Sequence, residues 1–137
     1  MSTTATGSTT DLDTVRAGFE AFGRGDLAGF GELFHSDATW NHRNDDRLGG
    51  VHSGREAILE FIVESGRLTA GTLRAIPGAF MGDGDGHVAA TMRVSGSRPD
   101  GRTFDDPQVL LFTLEGGVVR SVEQYIGDHA AVTAFWA

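Results

Sequence analysis

Apolar positions recur at helical spacing up to about Thr69 and at alternate positions from there on. Leu12, Val15, Phe19 and Phe22 share one face of a helix that Thr10 or Asp11 can cap and Gly23-Arg24-Gly25 ends. Asp26 caps a shorter helix whose apolar stripe is Leu27, Phe30, Leu33 and Phe34. A strand over 38–42 and a turn-rich loop over 43–53 follow, and Ser53 can cap a third helix over 54–67 that buries Ile58, Phe61 and Ile62. The alternating half divides into strands at 72–81, 87–97, 102–114 and 118–126, separated by glycine-rich turns. Asp128 opens a last helical turn over 129–136. Three helices followed by a meander predict an α+β fold, with the helices on one face of a curved, mainly antiparallel sheet.

Residues 1–10, which are Ser, Thr, Gly and Ala with one Met, read as a disordered tail, and 11–137 as one domain. A chain of 137 residues buries roughly two-thirds of its extended surface on folding. No cysteine is present, which excludes disulfides, thiolate metal sites and cysteine nucleophiles. No apolar run is long enough to span a membrane and no signal peptide opens the chain, so a cytoplasmic protein without a membrane partner is expected. The net charge of −8 argues against nucleic acid as a partner. All 11 basic residues are arginine. Either host codon usage or anion binding accounts for that bias, and the missing lysine excludes Schiff-base chemistry.

Against this background Trp40 and His42 are the residues with most chemical promise. Two apart on a strand, they face the same way, and the helix predicted over 54–67 could cover that face. An aromatic wall beside an imidazole that titrates near neutral pH suits an acid–base pocket. The alternative is a histidine that hydrogen-bonds amide neighbours and shapes a cavity. His35, His52, His87 and His129 fall in loops or at element ends and look solvated. No histidine spacing suits a metal, and the Asp83-Gly84-Asp85-Gly86 string lacks the spread of ligands a calcium loop needs. No metal and no cofactor are expected.

The strings GDLAGFGELFHSDATW, GREAILEFI, DGRTF, VLLFTLEGGVVRSVEQY and GDHAAVTAFWA resemble, in order and spacing, the SnoaL-like branch of the nuclear transport factor 2-like superfamily. Ketosteroid isomerases, polyketide cyclases and limonene epoxide hydrolases are related to this branch. The resemblance spans about residues 12–137. It implies a cone-shaped α+β barrel with a pocket inside, commonly paired into a homodimer through the outer sheet face. Matched to the steroid isomerases, His42 stands at the position of the catalytic carboxylate, while Gly18 and Leu110 stand where the two oxyanion donors would be. Matched to the epoxide hydrolases, Thr91, Arg93 and Gln124 occupy the catalytic positions, and two carboxylates are missing. Neither established machinery is complete. The comparison does imply that Thr91, Arg93, Val122 and Gln124 face the pocket, and strand alternation adds Gln108, Leu110 and Phe112.

The expected function is cofactor-independent acid–base isomerisation or cyclisation of an apolar, oxygenated small molecule of polyketide, terpenoid or steroid type. His42 would move the proton, and Arg93 and Gln124 would steady oxyanion charge. Arg93 could equally be neutralised by Asp105 or Asp106. Gln124 could orient a substrate carbonyl or hold His42 in one tautomer, and a relay from His42 to Asp106 is conceivable. Trp40, Phe19, Phe61 and Phe112 form an aromatic set that is either core or a stacking surface for an aromatic ligand. The rival expectation is a non-catalytic module that binds a hydrophobic ligand or serves dimerisation.

Overall fold

The computed structural model describes residues 10–137, so nearly all of the predicted N-terminal tail lies outside the described residues. Thr10 itself caps α1 (Asp11–Gly23): its hydroxyl accepts the Asp13 N–H at 3.1 Å and the Asp13 carboxylate accepts the Thr10 N–H at 3.3 Å. Asp26 caps the short α2 (Leu27–Gly31) by accepting the Gly29 N–H at 2.9 Å. The remaining elements are β1 (Phe34–His42), β2 (Gly50–Ser53), α3 (Arg55–Leu68), β3 (Arg74–Gly82), β4 (His87–Ser97), β5 (Thr103–Glu115), β6 (Val118–Tyr125) and α4 (His129–Trp136).

The six strands form one sheet in the order β2-β1-β6-β5-β4-β3. Its pairings are antiparallel except for β1 against β6, which run parallel. The sheet does not close on itself. Helix α1 packs on β3 and β4, α3 on β1 and β2, and α4 on β5, so helices complete the cone on the side the strands leave open. Register shifts in the β1–β6, β3–β4 and β5–β6 pairings bend the strands around that space. Among the described residues no helix is long and apolar enough to cross a membrane.

Three local expectations fail for physical reasons. Phe34 continues the helical spacing of Leu27 and Phe30, yet it begins β1, where it pairs with Val119 and is buried at 3% exposure. The loop predicted over 43–53 contains β2, a short edge strand whose largely exposed side chains carry no alternating signal. The residue capping α3 is Gly54 rather than Ser53; its φ of 96° favours glycine, and no side chain accepts from the helix start.

Helix α4 closes one end of the core. Phe135 stacks on Phe104 with ring centroids 4.1 Å apart, and Trp136 meets Phe104 edge-on at 5.8 Å. The Arg102 guanidinium donates to the carbonyls of Ala134 and Phe135 at 3.0 and 3.1 Å, which satisfies and complements the negative end of the helix. Phe135 is 2% exposed. Phe135→Ala should therefore lower stability by about 3–5 kcal/mol, read from urea unfolding; a loss below about 1 kcal/mol would mean that α4 is not part of the cooperative core.

Candidate functional site

The concave face encloses a cavity of about 90 Å³ whose walls are largely apolar. Trp40, Phe61, Phe19, Leu110 and Phe112 all line it, as expected. The aromatic wall is continuous, with Trp40 and Phe61 centroids 5.7 Å apart and His42 edge-on to Phe61 at 5.7 Å. One corner is polar, formed by His42, Gln124 and Gln108 on the adjacent strands β1, β6 and β5. An apolar cavity of roughly 150 Å³ holds benzene, so a pocket of about 90 Å³ admits a single small ring only if its walls give, and excludes a polycycle.

The polar corner belongs to one buried hydrogen-bond chain. Trp40 Nε1 donates to Gln124 Oε1 at 2.9 Å, and His42 Nδ1 lies 3.1 Å from the same oxygen. Gln124 Nε2 donates to Gln108 Oε1 at 2.8 Å, and Gln108 Nε2 donates to Asp106 Oδ2 at 3.0 Å. The Asp106 carboxylate also accepts the backbone N–H groups of Gly127 and Asp128 at 3.0 and 2.8 Å. On the other side, His42 Nε2 meets Asp46 Oδ2 at 3.0 Å. Asp46 further accepts from Asn44 Nδ2 at 2.6 Å and from the Leu48 N–H at 2.8 Å.

Both ends fix the direction of this chain. An indole nitrogen only donates, so the Gln124 oxygen must face Trp40; a carboxylate holding two backbone N–H groups accepts, so the Gln108 nitrogen must face Asp106. His42 Nδ1 then meets an oxygen already oriented as acceptor and carries a proton. Nε2 meets a carboxylate oxygen, so a second proton lies on the Nε2···Oδ2 line. Burial raises the Asp46 carboxyl, but the hydrogen bonds from His42 and Asn44, the His42 charge and the Leu48 N–H outweigh it and hold the group below its ordinary value. Like Asp106, Asp46 accepts two further N–H groups, from Asn44 and Leu48, so on this line Nε2 donates and Oδ2 accepts.

Several expectations about orientation are corrected. Thr91 and Arg93 point outward: Arg93 is exposed and pairs with Asp105 at 2.9 Å, the ionic neutralisation weighed above, and Thr91 accepts the Ala79 N–H on the sheet exterior. The cause is register, since β4 pairs with β5 so that Arg93 lies opposite Pro107 and Met92 opposite Gln108. Met92 and Val94 take the inward places. Val122 is fully buried but lies between Trp40 and Phe112 in the sheet and does not line the cavity. Asp106 is buried behind Gln108 and reaches His42 only through the two glutamines. His52 is not solvated; it stacks on Phe61 at 4.3 Å and bonds the Leu48 carbonyl at 2.8 Å.

Asp46 is the residue that sequence reasoning missed. Its side chain is fully buried, because Leu48, the single large apolar residue of the 43–49 segment, docks into the cavity wall and draws the loop under His42. Asn44 ties the same loop to α4 through Thr133 Oγ1 at 3.1 Å. Among the described residues no group of three or more His, Cys, Asp or Glu side chains gathers as a metal site would need.

The SnoaL-like domain family matches residues 15–122, and the chain belongs to it. The uncharacterised protein Rv0034 of Mycobacterium tuberculosis is 32% identical over 127 residues, 93% of this chain and 96% of that protein. Among solved structures, Bal32a from a soil-derived mobile gene cassette is 31% identical with a TM-score of 0.90, covering 93% of this chain and 96% of its own. A nuclear transport factor 2-like protein of unknown function from Burkholderia pseudomallei is 25% identical with a TM-score of 0.82, covering 93% and 97%.

A carboxyl held low in the folded state stabilises the fold above its unfolded value and loses that contribution as pH falls through the folded value. The Asp46 contribution should thus be complete above about pH 4, near the ordinary carboxyl value of 3.8, and fade below it. Urea unfolding of wild type and Asp46→Asn across that range checks this: the stability gap should narrow on acidification. A gap that stays constant with pH contradicts the pairing.

Proposed function

We propose that this SnoaL-like chain is a cofactor-independent acid–base enzyme that isomerises or cyclises a small, mainly apolar, oxygenated molecule. The observation that carries this reading is the buried His42–Asp46 pair on the wall of an otherwise apolar cavity. Asp46 orients the ring and balances its charge, as the acid of a catalytic triad does. His42 works through Nδ1, exchanging Gln124 Oε1 for a substrate atom while Nε2 stays on Asp46. It gives the Nδ1 proton to a carbonyl oxygen. As a neutral imidazole it then takes the proton from the neighbouring carbon, which leaves the enol and restores the starting ring. Neither carboxylate of the related hydrolases is required for that exchange.

A binding role without turnover is the second reading, and one feature favours it: each His42 nitrogen already has a protein partner. Deuterium exchange separates the two. In D₂O the protein should speed exchange of the protons beside the carbonyl of cyclopentanone, and His42→Asn should slow it by at least about a hundredfold. Catalysed exchange that His42→Asn leaves unchanged would sink the assignment of His42, and no exchange above background would leave only the binding role.

The homodimer expected from the resemblance is proposed on the same footing. Ile76 and Tyr125 are exposed on the outer sheet face at 58% and 43%. Sedimentation should find a dimer that Ile76→Arg weakens, and a wild-type monomer at micromolar concentration contradicts it.

A further inference from the structure

The direction of the hydrogen-bond chain determines what the polar corner can offer a ligand. Each glutamine amide nitrogen carries two hydrogens, and each uses one inside the chain, Gln124 toward Gln108 and Gln108 toward Asp106. Among the described residues no protein acceptor takes the other. The Gln124 oxygen is already filled, facing both Trp40 and His42. Both glutamines are almost completely buried and both line the cavity, so an acceptor placed in the cavity can reach the hydrogens they leave over. A buried N–H without an acceptor is costly, which makes such a corner receptive to an oxygen.

We infer that the second N–H groups of Gln108 and Gln124 form a paired donor site for the carbonyl oxygen of the ligand, so that the pocket selects cyclic ketones over hydrocarbons of the same shape. This assignment rests on the small-molecule pocket described above and adds the group that the pocket recognises. A carbonyl oxygen has two lone pairs and no hydrogen; in the bound ketone it accepts from both amides, and it exchanges one of them for the Nδ1 proton when His42 acts. Asp106 acts at a distance: it holds the Gln108 amide nitrogen, and through it the oxygen that Gln124 meets. Trp40 holds the other end. Neither glutamine can therefore turn its oxygen into the place of its nitrogen without setting donor against donor.

Cyclopentanone and methylenecyclopentane differ only in carrying O or CH₂ on the same small ring. Titrated into ¹⁵N-labelled protein, the ketone should bind about tenfold more tightly than the hydrocarbon. It should also shift the side-chain amide signals of Gln108 and Gln124, which the hydrocarbon leaves nearly unmoved. In Gln108→Leu the preference should fall to about threefold or less while the hydrocarbon still binds, an internal check that the pocket persists. Should that variant not fold, the wild-type comparison decides alone. Equal affinities in the wild type, or a full ketone preference retained in Gln108→Leu, would overturn the donor pair and leave the acid–base reading of His42 standing. Binding of neither compound would overturn both.

Discussion

A polar group buried in an apolar cone must find its partner inside the protein, and this constraint organises the site. His42 and Gln124 are register partners across β1 and β6, and Gln108 lies diagonally across on β5, so three neighbouring strands each place one polar side chain on the same inner face. No single one of them could be buried alone without a penalty of roughly 1–3 kcal/mol. Linked end to end, with Trp40 as a fixed donor and Asp106 as a fixed acceptor, they leave a single consistent arrangement of protons. The resulting site is preorganised: the orientation of each amide and of the imidazole is set before any ligand arrives.

The same chain joins the site to the rest of the fold. Asp106 accepts the N–H groups of Gly127 and Asp128, and Asp128 in turn caps α4 by accepting the Ala131 N–H at 3.1 Å. At the other end, Asp46 is held by Asn44, which also reaches Thr133 on α4. Both ends of the polar chain thus lead to the last helix, whose aromatic residues close the core against Phe104. A change that loosens α4 should reach His42 by two routes, through its carboxylate partner and through the glutamines.

Much of the fold was legible because periodicity reports burial directly. The change from helical to alternating spacing near Thr69 marks the passage from the helices to the meander, and β4 occupies the predicted span 87–97. His42, Trp40 and Gln108 were legible as pocket residues from strand alternation, and Gln124 through the resemblance to the epoxide hydrolases. Thr91 and Arg93 were misplaced by an alignment to distant relatives, although the chain held the correction. The turn around Pro99-Asp100-Gly101 sets even-numbered residues of β4 opposite even-numbered residues of β5. If Gln108 faces inward, Met92 must too, and Arg93 cannot. Asp46 was not legible by period, because it lies in a loop whose path depends on the docking of Leu48 and the Asn44 bonds. Those contacts form only in the folded chain.

The chemistry of the pocket depends on the proton that His42 carries toward Gln124. Nitrogen-15 spectra of histidine-labelled protein at neutral pH, with His42 assigned by comparison with His42→Asn, read that proton directly. A directly bonded hydrogen on Nδ1 is the predicted result. A bare Nδ1, with the ring protonated on Nε2 alone, would contradict the direction of the whole chain and the chemistry built on it.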